Sequence, residues 1–368
     1  MLFRSIHDLE NVEDEEEAKS AKLKEKEIFN LGLYWRNING RCDKDEKVLE
    51  GLQPHPNLKS LTIEHYLGKK FPSRVGLSSL YHNLIKISLI SCMECEEVPT
   101  LGQLPCLRDL EMEEMGKVRS IGSEFYFYSD GSYRNTTTLF PALRILYLGM
   151  DSLEEWKDAK ELTTADEVLF VFPCLEKLTL ISCNKLRYLP GVSSVIQRLE
   201  IIGFGINELP SGLQFCTSLQ YLKIEDCPNL KSIPDLGELF HSLINLKLSN
   251  CPNVRLELRR ERRIKTLAIG WFIEELGAFP ILRYPSIRYS HASLKKLRLH
   301  GSPTLNSLPN EIQLFTALEE LRIQNFNIME ALPDWLSYLS SLQKLSLLLQ
   351  KVDVSSHSTP HQFQTSAR

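Results

Sequence analysis

Apolar residues recur along this chain in a trio: one residue, a second three positions later, and a third two positions beyond that. In residues 219–234, LQYLKIEDCPNLKSIP, the trio is Leu219, Leu222 and Ile224, followed by Cys227, Leu230 and Ile233-Pro234. Leu222 and Ile224 are two apart, so in a strand they share one face, while Tyr221, Lys223 and Glu225 take the other. The trio opens at Ile28, Leu58, Leu84, Leu107, Leu143, Leu175 and Ile196, then at Leu219, Leu243, Ile264, Leu294, Leu318 and Leu342. At all thirteen, the residues three and five further on are Leu, Ile or Met. The pattern predicts thirteen short strands, each with an apolar face that it cannot bury alone.

Spacing decides how those faces are covered. The trios lie 21 to 36 residues apart, and most intervals fall in the range of about 20–29 of the leucine-rich repeat, L-x-x-L-x-L-x-x-N/C-x-L. Copies then stack above and below one another, and the apolar positions merge into one core. The predicted fold is α/β, a leucine-rich repeat solenoid: a curved horseshoe with a parallel sheet on the concave face and loops and short helices on the convex face. Three regions follow: a charged segment over 1–27 (a partial repeat or helix), a repeat domain of about 13 units over 28–349, and a disordered tail over 350–368.

Irregularities sit between the trios. Residues 13–17 are an acidic run, followed by alternating charges to Glu27; acids early and lysines late suit a solvated helix. The intervals after Leu107 and Leu143 carry inserts, near 117–139 and 151–172, and inserts in repeat proteins tend to emerge on one face, often the binding one. The cluster RRERR at 259–263 has no interleaved aromatics and reads as a charged convex segment. Proline follows a leucine-type residue at Leu189-Pro190, Leu209-Pro210, Ile233-Pro234, Leu308-Pro309 and Leu332-Pro333, where it sets an extended segment that needs no ladder donor.

Composition narrows the class. With 368 residues, 43% of them apolar, a continuous core is within reach, and a net charge of −4 gives no overall attraction to nucleic acid or membrane. No apolar run approaches the roughly 20 residues of a membrane span, and the acidic N-terminal stretch does not resemble a signal peptide. Nine cysteines are an odd number, and Cys92, Cys183, Cys227 and Cys251 share one repeat position. Buried, reduced thiols in a cytoplasmic protein are expected.

Catalytic motifs do not appear. There is no G-x-x-x-x-G-K-[ST], G-x-S-x-G or H-E-x-x-H. Cys92-Met93-Glu94-Cys95 is a C-x-x-C, but Cys92 occupies the shared repeat position and no second pair follows at zinc spacing, so the pair is structural. No enzyme activity, cofactor or metal is expected. Recognition then falls to the strand positions that flank the buried ones: Lys177, Arg198, Tyr221, Lys223, Glu225, Lys247, Lys296, Arg298, Arg322 and Lys344 form the candidate concave face. An earlier unit offers Asp109, Glu111 and Glu113. Such a face docks proteins, and charge segregation along it steers the encounter.

The stretches ENVEDEEEAKSAKLKEKEIFNLGLYW and VLEGLQPHPNLKSLTIEHYLGKKFPS, with VPTLGQLPCLRDLEM, VRSIGSEFY, FPALRILYL and LEEW, closely resemble the leucine-rich repeat region of plant intracellular nucleotide-binding disease-resistance proteins of the coiled-coil class. The resemblance covers roughly residues 8–346. It implies a module of plant defence that senses pathogen effectors, or guarded host proteins, and packs against the family's nucleotide-binding domain. No P-loop occurs in this sequence, so nucleotide binding is not carried over. Two other classes fit a non-catalytic solenoid: the substrate-binding part of a ubiquitin-ligase adaptor, which would need an F-box-like helical domain that the residues before Ile28 are too few to form, and an inactive receptor-gene fragment.

Overall fold

The computed structural model describes residues 3–36, 42–72, 81–127, 137–159, 169–190, 195–213, 216–233, 242–251, 253–256, 264–270, 291–301, 305–326, 329–348 and 363–365. The chain divides into two compact units, Met1–Ile196 with Pro210–Cys216, and Gln197–Leu209 with Thr217–Arg368.

Each predicted trio makes a strand of five residues that begins two positions after the trio's first member. In the first unit these are β2 (Asn30–Tyr34), β3 (Ser60–Glu64), β4 (Lys86–Ile90), β5 (Asp109–Glu113), β6 (Ile145–Gly149) and β7 (Lys177–Ile181), and a strand β1 (Phe3–Ile6) precedes them. In the second unit they are β8 (Arg198–Ile202), β9 (Tyr221–Glu225), β10 (Asn245–Ser249), β11 (Thr266–Gly270), β12 (Lys296–His300), β13 (Glu320–Gln324) and β14 (Lys344–Leu348). Within each unit every strand pairs in parallel with the next in chain order and without register shift, Leu222 opposite Leu246 and Leu246 opposite Leu267. From β2 onward the second and fourth residues of the strands therefore stack in two apolar columns, whereas β1 puts Arg4 opposite Leu31.

Those columns are dry. Leu31, Leu61, Ile87, Leu110, Leu146 and Leu178 in the first unit, and Leu199, Leu222, Leu246, Leu267, Leu297 and Leu321 in the second, are all buried. Each such side chain contributes roughly 1.5–3 kcal/mol when fully buried. The column thins at its end: Leu345 and Leu347 of β14 are only half-buried.

The backbone at both strand ends is fixed by repeated hydrogen bonds. Before a strand, two successive N–H groups share one carbonyl of the previous repeat; Gln220 and Tyr221 both donate to the Gln197 carbonyl, at 2.8 and 2.9 Å. After a strand the chain enters the left-handed region, at His65, Ser91, Glu114, Ser182, Asp226, Asn250 and Asn325. Short polar side chains tolerate that conformation best, and Ser, Asp or Asn fill five of these seven positions. The turn aims its N–H at the next repeat: Asp226 donates to the Ser249 carbonyl at 3.0 Å and Asn250 to Gly270 at 2.9 Å.

The chain then turns inward at the shared cysteine. Cys92, Cys183, Cys227 and Cys251 are fully buried, and all nine cysteines are free thiols. The Cys183 thiol lies 3.4 Å from the Ile181 carbonyl and 3.5 Å from Leu148 of the preceding strand, and Cys251 repeats this with Ser249 at 3.1 Å and Ile224 at 3.7 Å. A weak S–H donor fits where an asparagine would demand more partners. On the far side of the repeats, Pro309 and Pro333 are extended, as their dipeptides predict, and each leads into a short 3-10 helix, Asn310–Leu314 and Asp334–Tyr338.

Three expectations change. The charged segment 1–27 holds a helix α1 (Glu15–Ser20), capped by the Asp14 side chain on the Glu17 N–H at 2.9 Å, but also β1, which pairs with β2. The parallel ladder thus begins one strand before the first leucine trio. The described part of the inserts sends its large aromatic side chains inside, while Phe170 stays exposed. Phe125, Tyr126, Phe140, Trp156 and Phe172 are buried against one another, and the Trp156 indole N–H donates to the Tyr126 hydroxyl at 2.8 Å. An aromatic layer fills the wider repeat that the longer intervals create. In the tail, Phe363–Thr365 pairs antiparallel with β14; the RRERR cluster and the rest of 350–368 lie outside the described residues.

Helix α2 (Cys42–Gly51) covers the first unit through Val48 and Leu49, and with them it buries Asp45, which accepts the Leu67 N–H at 3.3 Å. Burial pushes that carboxyl up to about 6. Among the described residues no helix is long and apolar enough to cross a membrane.

Two outcomes follow. Leu222→Ala removes a buried side chain from the column and is expected to destabilise the chain by about 2–5 kcal/mol, read from chemical denaturation; a loss below about 0.5 kcal/mol would contradict the stacking. For Asp45, the folded value lies above the unfolded 3.8, so its stabilising share is complete below about pH 4 and lost as pH rises through about 6. Asp45→Asn keeps an acceptor for Leu67 and carries no charge, so its melting temperature should gain on wild type between those pH values. A difference that stays constant with pH would show that Asp45 does not titrate in this way.

Candidate protein-docking face

The first, third and fifth residues of each strand point away from the apolar columns, onto a sheet face that no described element covers. In the second unit this face carries nine of the ten predicted residues: Arg198, Tyr221, Lys223, Glu225, Lys247, Lys296, Arg298, Arg322 and Lys344. Lys177 belongs to the first unit and is half-buried.

Register sets their neighbours. Third positions align as Glu200, Lys223, Lys247, Ala268, Arg298, Arg322 and Ser346, and first positions as Arg198, Tyr221, Asn245, Thr266, Lys296, Glu320 and Lys344. Adjacent strands lie about 4.8 Å apart, so side chains as long as Lys and Arg reach along and across the rows. Arg198 donates to Glu200 at 2.7 Å and stacks on the Tyr221 ring with its guanidinium carbon 3.8 Å from the centroid. Glu225 takes both Lys223 and Lys247, the latter at 3.2 Å. Glu320 takes Arg322 at 2.5 Å and Lys296 at 3.5 Å.

Each carboxylate is thus pressed among cations. Burial pushes the Glu225 carboxyl up, but hydrogen bonds from Lys223 and Lys247 outweigh that and hold it below the usual value. Glu320 behaves the same way beneath Arg322, Lys296 and Lys344. The pattern of alternation marks Glu200 and Glu320 as outward-facing, yet both are only 8% exposed, because the longer cations fold over them. Seven Lys and Arg side chains against three glutamates leave the described face of this unit positive. His300, two positions along β12 from Arg298, meets Gln324 at 3.2 Å, and its partial burial lowers its pKa.

The first unit has the opposite sign. Asp109, Glu111 and Glu113 follow one another on β5, Glu111 meeting the Ser88 hydroxyl at 2.8 Å and Lys86 at 3.8 Å, and Glu113 the Tyr147 hydroxyl at 3.3 Å. Beyond the strand ends is an open groove of about 440 Å³ that His65, Ser91, Met93, Glu113, Glu114 and Asp151 help to line. Among the described residues no three His, Cys, Asp or Glu side chains are placed to hold a metal ion. Chemically, the two faces can bind and orient charged protein surfaces.

A family model described as R13L1/DRL21 leucine-rich repeats matches residues 4–115. An RPP13-like disease-resistance protein of Arabidopsis thaliana is 28% identical over 89% of this chain and 27% of its own length. A second disease-resistance protein of that plant is 33% identical over 61% of this chain and 14% of its own length. The disease-resistance protein RGA4 of Solanum bulbocastanum is 32% identical over 66% and 23%. The chain therefore spans about a seventh to a quarter of the length of these curated relatives. Among solved structures, a leucine-rich repeat protein of Leptospira interrogans matches at 17% identity over 89% of this chain and 87% of that one, with a TM-score of 0.35, so the fold rests on the strand ladder itself. The ladder makes the chain a leucine-rich repeat solenoid, and its sequence is similar to that family model and to plant disease-resistance proteins.

Proposed function

We propose that this chain is a protein-recognition module of plant defence, working in the cytoplasm, that senses pathogen effectors or guarded host proteins and packs on a nucleotide-binding domain through its uncovered sheet faces. The observation that carries this reading is the face of the second unit, where β8 to β14 present two rows of polar and charged side chains on a rigid, dry scaffold. An array of Arg, Lys and Tyr on a regular sheet steers an oppositely charged partner.

The test is a capture screen of the whole chain against candidate effectors and the nucleotide-binding domains of related resistance proteins. A triple variant, Tyr221, Lys223 and Arg298 all to Ala, should abolish capture of any partner found. Its melting temperature should stay within a few degrees of wild type, because exposed ion pairs contribute roughly 0–1 kcal/mol each. Capture that survives the triple change would place docking elsewhere.

A further inference from the structure

The positive face of the second unit is not uniform. Lys223 and Lys247 share Glu225, and Arg198 is held by Glu200 and the Tyr221 ring. Across β12, β13 and β14 the balance differs. Lys296, Arg322 and Lys344 surround one carboxylate, Glu320, and Arg298 adds a fourth cation beside Arg322. Arg298 is exposed, and its register neighbours are Ala268 on one side and Arg322 on the other. A guanidinium beside a methyl group and a second guanidinium gains nothing from its own sheet. Its charge is available to a partner.

We infer that β12 to β14 form a docking patch for an acidic protein segment, with Arg298 as the anchor for a carboxylate; this rests on the reading of the sheet face as a docking surface and names the chemistry of its occupant. Charge complementarity selects that occupant. Arg298 and Arg322 lie on adjacent strands about 4.8 Å apart, a spacing that the carboxylates of neighbouring acidic side chains can match, and guanidinium groups bind carboxylates through paired hydrogen bonds. Glu320 sits between the cations and repels a continuous run of phosphates, whereas a protein segment can turn a neutral or basic side chain toward it. At the outward positions of β12 to β14 there is no Phe, Tyr or Trp to stack a base, and the His300 ring is engaged by Gln324 and Asn325.

The inference is tested with the full chain and labelled synthetic peptides: a Glu/Asp-rich sequence of about 16 residues, its Gln/Asn version and a Lys-rich version, plus a single-stranded DNA of the same formal charge as the acidic peptide. Fluorescence anisotropy is read at about 0.05 M and about 0.5 M salt. The acidic peptide should bind in preference to the other two peptides and weaken at high salt. Arg298→Glu and Lys344→Glu, separately, should each weaken it by about tenfold, Arg298→Gln by less, and Lys231→Glu, the same charge change off this face, by under twofold. Thermal unfolding confirms that each variant is folded. No preference for the acidic peptide, or equal losses at Lys231 and Arg298, overturns the acidic-segment inference and leaves the wider docking reading to its effector screen. DNA that binds as tightly as the peptide, with the same dependence on Arg298, overturns it in favour of a nucleic-acid surface.

Discussion

The structure depends on one constraint: neighbouring repeats must pair without slipping. A strand of five residues presents two apolar side chains to the core, and a shift of one residue would send both to the open face. Three devices hold the register in successive repeats. The carbonyl that accepts two N–H groups ahead of each strand fixes where pairing starts. The left-handed residue that follows fixes where it ends, and the inward cysteine, in the four repeats that carry it, ties the exit to its own strand and, in most of them, to the one before. Because the same geometry is reused, stability accumulates between nearest neighbours and little is asked of any single contact.

This arrangement separates scaffold from recognition at the level of single residues. In the thirteen strands β2 to β14, second and fourth positions are restricted to Leu, Ile or Met; first and third positions range over Gly, Tyr, Lys, Glu and Arg, among others. Charges gathered on such a face must be reconciled with one another before any partner arrives. The second unit does so by sharing, with one glutamate serving two or three cations, so positive charge predominates while Glu225 and Glu320 are held below the usual carboxylate range.

The trio of apolar positions made the strands legible, down to their starting residues, because the feature that builds the core is the feature that recurs. What the trio does not encode was harder to see. Phe3–Ile6, reading FRSI, lacks the leucine spacing and pairs because β2 offers it an edge. The aromatic insert looked like a surface excursion from its length, but Phe125 and Tyr126 are drawn inward by a wider repeat that needs filling. On the candidate face, all nine second-unit residues fall at the first, third or fifth strand positions that alternation assigns them. It could not show that Glu200 and Glu320 lie beneath their neighbours, since that depends on cations one strand or two positions away.

The shared cysteine has a consequence for the chemistry of the cell. Burial pushes the Cys183 thiol up to about 11, so it is protonated at neutral pH and hidden from oxidants, and the thiolate that would react with peroxide or a disulfide forms only when its repeat opens. Cys106 and Cys174 stand exposed, but an oxidant finds the Cys183 sulfur inert. Only partial unfolding exposes it, and damage would then mark molecules that had already lost their register.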